Sequence, residues 1–108
     1  MIVRQALFEG AIHAGSETDF RNFVETRLVP MWRQFPGLRD LKVMFALSRD
    51  DGAPSFPLTL TMSFEDEAAL AAALDAPIRL ESRAVTGELM AMFDGRIHHH
   101  VFEALAER

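Results

Sequence analysis

The sequence predicts an α+β fold in which strands and helices follow the order β-α-β-β-α-β. Four stretches alternate apolar and polar residues, which is the period of a β-strand. Two longer stretches between them repeat apolar residues every three or four positions, as one face of a helix does. Gly and Pro residues mark the connections, most clearly at Pro36-Gly37 and Asp51-Gly52.

The first half of the chain predicts a strand and a long amphipathic helix. The strand covers residues 2–12, carries apolar groups on both faces, and has a possible bulge site at Gly10. Ser16 is the predicted cap of a helix that runs to about Phe35. Because Pro30 lies inside this helix and lacks a backbone N–H, we expect a kink or break near residues 28–29.

The middle of the chain predicts a hairpin followed by a short helix. Its strands are residues 39–48 and 56–64, joined by a loop over residues 49–54. An alanine-rich helix follows over residues 65–74, and Ser63 with Asp66 resembles a helix start.

The last third of the chain predicts a second long helix and a final strand. Pro77 suits the first position of this helix, which we expect to reach Phe93 and to end at Asp94-Gly95. The final strand is predicted over residues 96–103, and the residues after it are expected to form a frayed tail.

This order is the ferredoxin-like arrangement, a four-stranded antiparallel sheet with helices on one face and the last strand beside the first. We expect residues 1–108 to form one domain of this kind. Helices cover only one face of such a sheet, yet the first, second and fourth strands carry apolar groups on both faces. The sequence therefore predicts a homodimer packed sheet against sheet.

Composition excludes several classes of function. The net charge is −5 with no block of like charges, which argues against nucleic-acid and anionic-membrane partners. The chain has no cysteine, so disulfides, thiolate catalysis and Cys-ligated zinc are excluded. No Gly-rich phosphate loop, G-x-S-x-G or H-E-x-x-H motif is present. Without a signal-type or membrane-length apolar run, we expect a cytoplasmic protein.

Four short segments carry a resemblance to a known group of proteins. They are Val29-Pro30-Met31, Phe35-Pro36-Gly37-Leu38, Ser63-Phe64-Glu65-Asp66 and Ala73-Leu74-Asp75-Ala76-Pro77. Together they make the chain resemble the dimeric α/β-barrel superfamily, and within it the EthD-like proteins and their antibiotic-biosynthesis-monooxygenase relatives. EthD-like proteins often carry a histidine two residues before the helix proline, where this chain has Leu28.

The resemblance implies a homodimer with one apolar pocket per subunit. The superfamily includes cofactor-free oxygenases of aromatic polyketides, cyclases, haem-degrading enzymes and accessory proteins of catabolic operons. Fold alone does not choose among these activities, and the resemblance assigns no catalytic residue to this chain.

Histidines are the candidate catalytic residues. On the final strand His98 and His100 share one face, with Cα atoms about 6–7 Å apart, and His99 points the other way. Antiparallel pairing with the first strand is expected to bring His13 near His98, with Arg96 at the same edge. We predict that His13, His98 and His100 include a general base, since imidazole titrates near neutral pH. The alternative is that these histidines only fill the dimer interface, or pack with their ring nitrogens satisfied.

Metal and haem binding are less favoured interpretations. His98 and His100 could bind zinc if His13 or Glu9 completed the set, but a run of adjacent histidines rarely aligns three ligands. We therefore expect neither a metal nor another cofactor, and haem binding remains a weaker alternative.

Four aromatic residues and one arginine are the candidate ligand-binding residues. Trp32, Phe35, Phe45 and Phe93 are predicted to line a flat apolar pocket, although ordinary core packing explains the same spacing. Arg4 could bind a substrate carboxylate or phenolate, or pair with Glu103 on the neighbouring strand.

These observations favour a homodimer that binds a small apolar or aromatic metabolite. The predicted chemistry is cofactor-independent monooxygenation, or a related proton-transfer reaction such as cyclisation, with a histidine as base. The alternative is a non-enzymatic, EthD-like accessory or binding protein of a catabolic or biosynthetic pathway.

Overall fold

The computed structural model describes residues 1–105 and confirms the predicted ferredoxin-like α+β fold. Its antiparallel sheet has the strand order β2-β3-β1-β4. The strands are β1 (Ile2–Ile12), β2 (Asp40–Phe45), β3 (Leu58–Phe64) and β4 (Phe93–Glu103). Helices pack on one face of this sheet. The predicted frayed tail includes residues 106–108, which lie outside the described part of the chain.

The first helical segment is broken where the proline predicts a break. It consists of α1 (Glu17–Phe23), a π-helical turn (Val24–Leu28) and α2 (Val29–Trp32). The π-helical turn directly precedes α2, in which Pro30 occupies an early position. Because Pro30 cannot donate to the carbonyl four residues before it, the backbone widens there instead of continuing as a regular helix. The segment ends at Trp32, three residues earlier than expected.

The second helical segment consists of α3 (Glu67–Asp75), α4 (Pro77–Leu89) and a 3₁₀ turn (Met90–Met92). Asp66 caps α3, since its side chain accepts a hydrogen bond of 2.8 Å from the Ala69 N–H. No helix within residues 1–105 has the length and apolar character needed to cross a bilayer.

The second helical segment ends earlier, and the last strand begins earlier, than the sequence predicts. The helix stops at Leu89 and β4 already begins at Phe93, so Asp94-Gly95 belongs to the strand and does not terminate the helix. The pairing of β4 with β1 runs without a bulge from Ile2 opposite Glu103 to Ile12 opposite Phe93.

Two facing glycines allow this uninterrupted pairing. Gly10 lies opposite Gly95, and their φ angles are 144° and 155°. A Cβ atom on Gly10 would lie 2.0 Å from the Asp94 carbonyl oxygen, and one on Gly95 would lie 1.9 Å from the Glu9 carbonyl oxygen. The two backbones therefore approach too closely for any side chain at either position.

The core lies between the sheet and the helices. Alternation along β1 turns Ala6 and Phe8 towards the helices, where they join Leu58, Leu60 and Met62 of β3. The helical layer contributes buried apolar residues, among them Phe20, Val24, Leu28, Trp32, Leu70 and Leu89. Within residues 1–105, no helix lies over the opposite face of the sheet, which we call the open face. Its residues include Glu9, Met44, His98, His100 and Phe102.

We predict that Gly10→Ala destabilises the protein by about 2 kcal/mol or more, because the new Cβ overlaps backbone atoms of β4. The matched control is Gly87→Ala in α4, where nothing lies within 4 Å of the added Cβ. This control should be neutral or stabilising by up to about 1 kcal/mol. Chemical denaturation of both variants measures the difference, and equal stabilities would contradict the close approach.

Candidate functional site

A cavity of about 330 Å³ lies between the sheet and the helical layer. Five apolar residues of the sheet contribute to its lining: Ala6, Phe8, Leu60, Met62 and Ile97. Trp32 of α2 and Phe35 of the following turn add aromatic side chains to the lining. The cavity therefore has the apolar and aromatic character that a flat organic ligand requires.

The charged part of the cavity lining is entirely basic. Arg4 reaches it from β1, and Arg79 and Arg83 reach it from α4, where they lie four residues apart on one face. His99 of β4 completes this group, because its backbone lies opposite Ala6 and its side chain shares the helix-facing side of the sheet. We call these four residues the basic cluster.

Burial and neighbouring charge keep His99 uncharged at neutral pH. Burial is the largest cause that lowers the pKa of His99 to about 4, followed by the charges of Arg4, Arg79 and Arg83, and then of His98. The residue nevertheless remains partly accessible to solvent. A neutral imidazole at this position has a free nitrogen that can accept a proton.

Burial and neighbouring positive charge also lower the pKa of Arg4. Burial, and then the charge of Arg79, lower the pKa of Arg4 from its ordinary value of 12.5. The guanidinium nevertheless stays protonated at physiological pH. The predicted pairing of Arg4 with Glu103 is absent from the described residues: Arg4 lies opposite Val101, and Glu103 lies opposite Ile2.

His98 and His100 lie on the open face, away from the cavity. Their shared orientation and the opposite orientation of His99 are those predicted from strand alternation. His98 Nε2 lies 2.6 Å from Glu9 Oε1, and Arg96 Nε lies 3.6 Å from the same oxygen. The hydrogen bond from His98 is the main cause that lowers the pKa of Glu9.

The expected proximity of His13 and His98 is wrong. His98 lies opposite Leu7, whereas His13 follows Ile12 at the far end of β1. Five to six strand residues separate the two histidines, which corresponds to about 15 Å or more. His13 instead lies 3.0 Å from Asp94, measured from Nε2 to Oδ1. The difference arises because β4 begins at Phe93 and not at Arg96.

The predicted aromatic residues divide among three places. Trp32 and Phe35 line the cavity. Phe93 is part of the core, with its ring centroid 6.1 Å from that of Phe8 and 5.8 Å from that of Phe20. Phe45 lines a separate groove of about 470 Å³ near the β2–β3 connection, where the Arg21 guanidinium carbon lies 4.5 Å above its ring.

Sequence reasoning missed Arg79, Arg83 and the cavity position of His99. The four-residue spacing of the two arginines was a readable signal, since it places both on one side of α4. The direction of that side was not readable, because it depends on how α4 packs over the sheet. Within residues 1–105, no three His, Asp or Glu side chains converge in the way that a metal ion requires.

Solved structures share this fold at low sequence identity. An EthD-family protein from Bacillus halodurans C-125 is 21% identical, with a TM-score of 0.73, over 97% of this chain and 100% of that chain. A dimeric ferredoxin-like protein of unknown function from Thermobifida fusca YX is 18% identical, with a TM-score of 0.70, over 95% and 90% of the two chains.

A third structure with this fold has a described activity. A variant of SnoaB, a cofactor-independent oxygenase from Streptomyces nogalater, is 18% identical with a TM-score of 0.63, over 98% of this chain and 94% of that chain. No family model matches the sequence, and no curated protein matches it. The structural likenesses confirm the predicted resemblance at the level of the fold.

We predict that His99 titrates with a midpoint near pH 4, well below the ordinary value of 6.5. Its contribution to folding stability is therefore fully present above pH 6.5 and is lost as pH falls towards 4. Arg4→Gln should move the midpoint upwards, because it removes the second-largest cause of the shift. Imidazole NMR signals recorded against pH measure both values, and an unshifted His99 would contradict this account of the cavity.

Proposed function

We propose that the protein is a homodimeric enzyme that binds a flat aromatic metabolite in the cavity and oxidises it with molecular oxygen, without a cofactor, after His99 removes a proton. The observation that carries the proposal is that a neutral imidazole, that of His99, lines the same cavity as the aromatic residues Trp32 and Phe35. The activity described for SnoaB, a protein of the same fold, supports this choice of reaction.

The proposed reaction starts with proton transfer to His99. A phenolic or similarly activated substrate loses a proton from a ring methylene and becomes an electron-rich carbanion conjugated with the ring. The carbanion reduces O₂ and forms a C–O bond, which gives a peroxide that recovers the proton from His99. The hydroperoxide then loses water and leaves a carbonyl, so that CH₂ and O₂ become C=O and H₂O.

The neighbouring arginines favour the anionic intermediate. Positive charge that lowers the pKa of His99 also lowers the pKa of a bound phenol or activated C–H group. The two effects oppose each other, so the arginines favour the transfer when the substrate anion lies closer to the guanidinium groups than the imidazolium of His99 does. The apolar sheet residues of the cavity lining strengthen these interactions by excluding water.

The homodimer follows from the composition of the open face. Met44 and Phe102 on this face are 46% and 48% exposed, although both are large apolar side chains. The charged groups there are already paired, Glu9 with His98 and Arg96, so a second subunit can cover them without leaving a lone buried charge. His98 and His100 would then be interface residues, the alternative role considered for them from the sequence.

We expect His99→Gln to lower kcat for oxygen-dependent oxidation of a panel of anthrones by about 100-fold or more, since a general base contributes about 10²–10⁴-fold. His98→Gln and His100→Gln are matched controls on the same strand with the opposite orientation, and they should retain most of the activity. An oxygen electrode measures uptake, and thermal shift confirms that each variant is folded.

The outcome of this comparison separates the candidate functions. Unchanged oxygen uptake in His99→Gln, or its loss in His98→Gln, would contradict the role of His99. Thermal stabilisation by aromatic ligands without turnover would instead favour the accessory or binding protein considered from the sequence.

We expect sedimentation at twice the chain mass of 12.1 kDa at micromolar concentration. Phe102→Asp should shift this equilibrium towards single chains, because it places a charge on the face that the partner covers. Leu80→Asp is the matched control, since Leu80 is 68% exposed on α4, away from the sheet. A wild-type protein that sediments as a single chain would refute the homodimer.

A further inference from the structure

We infer that the ligand of the cavity is an anion, an aromatic acid or a similar flat molecule whose carboxylate binds Arg4, Arg79 and Arg83 while its ring occupies the apolar part. This inference rests on the proposed use of the cavity as the ligand site and adds the charge class of the ligand. It is carried by the basic cluster, in which three arginines line one cavity and no carboxylate of residues 1–105 joins them in the lining.

The basic cluster contrasts with the rest of the chain. The net charge is −5, so acidic partners are plentiful. Six arginines of residues 1–105 lie outside the cavity, and four of them, Arg21, Arg27, Arg39 and Arg96, each lie within 3.6 Å of a glutamate oxygen, whereas the exposed Arg33 and Arg49 have no such pair among the described residues. No such pair involves the three cavity arginines in the part of the chain that the structure describes. The acidic side chains are thus distributed away from this cavity.

Hydrogen bonding within the protein leaves the guanidinium donors largely unused. Arg79 Nη1 donates to the Leu74 carbonyl oxygen at 3.4 Å, and the other donors of this five-donor group remain available. The two hydroxyl groups of the lining are occupied as donors: Ser82 bonds the Arg79 carbonyl at 3.0 Å, and Thr86 bonds the Ser82 carbonyl at 2.8 Å. The cavity therefore presents its strongest free donors on cationic groups.

The repulsion within the basic cluster favours a negatively charged ligand. Arg79 lowers the pKa of Arg4, and all three arginines lower the pKa of His99, so these groups lie close enough to repel one another. A bound carboxylate would relieve that repulsion and accept two parallel hydrogen bonds from one guanidinium group. A neutral ligand of the same shape would relieve none of it.

The test compares 2-naphthoate with its uncharged isostere 2-naphthamide, by calorimetry at low ionic strength. We expect naphthoate to bind about 10- to 100-fold more tightly, the difference that charge-assisted hydrogen bonds provide. Arg4→Gln and Arg83→Gln should each reduce this preference about tenfold or more. Arg33→Gln is the matched control, because Arg33 is exposed and does not line the cavity.

A second measurement, the pKa of His99, tests whether the ligand binds in the cavity. Naphthoate should raise the pKa of His99 by about one unit or more, because an opposite charge nearby stabilises the imidazolium, and naphthamide should not. The NMR titration of His99 with each ligand measures this shift.

The outcomes distinguish this inference from the proposed function. Equal binding of the two ligands at the cavity would overturn the anion preference and leave the cavity as a ligand site. Naphthoate binding that survives both cavity substitutions and does not shift His99 would also overturn it. Oxygen uptake by a neutral substrate, undiminished in Arg83→Gln, would contradict the anion requirement while supporting the oxygenase.

Discussion

The full-length pairing of β1 with β4 determines which side chains can act together in this protein. The register runs from Ile2 opposite Glu103 to Ile12 opposite Phe93, and it depends on the facing glycines at positions 10 and 95. Because side chains alternate along a strand, this single register sends Arg4 and His99 towards the helices. A slip of one residue would turn His99 to the open face and leave the cavity without an imidazole.

Two kinds of polar environment result from this alternation. On the open face, His98 Nε2 lies 2.6 Å from Glu9 Oε1, and Arg96 Nε lies 3.6 Å from the same oxygen. On the helix-facing side, Arg79 and Arg83 of α4 line the same cavity as Arg4, and the described part of the chain contributes no carboxylate to that lining. Glu9 therefore compensates positive charge on the open face, whereas the described residues provide no such compensation for the arginines of the cavity. This difference makes the helix-facing cavity the stronger candidate for a ligand site.

The sequence predicted the fold well because the fold depends on local signals. Periodicity identified every strand and both helical segments, and Pro30 marked the break that the structure realises as a π-helical turn. The start of β4 was predicted three residues late, because Asp94-Gly95 is a common helix end and nothing local shows that Gly95 faces Gly10. That error in one boundary produced the incorrect proximity of His13 and His98.

The site was less predictable than the fold because it combines residues distant in the chain. Strand alternation alone separated His99 from His98 and His100, but it does not say which face is covered by helices. Arg79 and Arg83 gain significance only once α4 packs above Arg4, and that contact joins residues about 75 positions apart along the chain. Trp32, Phe35 and Arg4 were found because apolar patterning already placed them in the helix–sheet interior.

The sheet also connects its two faces electrostatically. The charge of His98, which lies on the open face, contributes to the lowered pKa of His99 on the other face. His98 Nε2 lies 2.6 Å from Glu9 Oε1, and only a single layer of backbone separates this pair from the cavity. The consecutive histidines of β4 therefore face both environments, and the charge next to Glu9 acts across the sheet on the imidazole that lines the cavity.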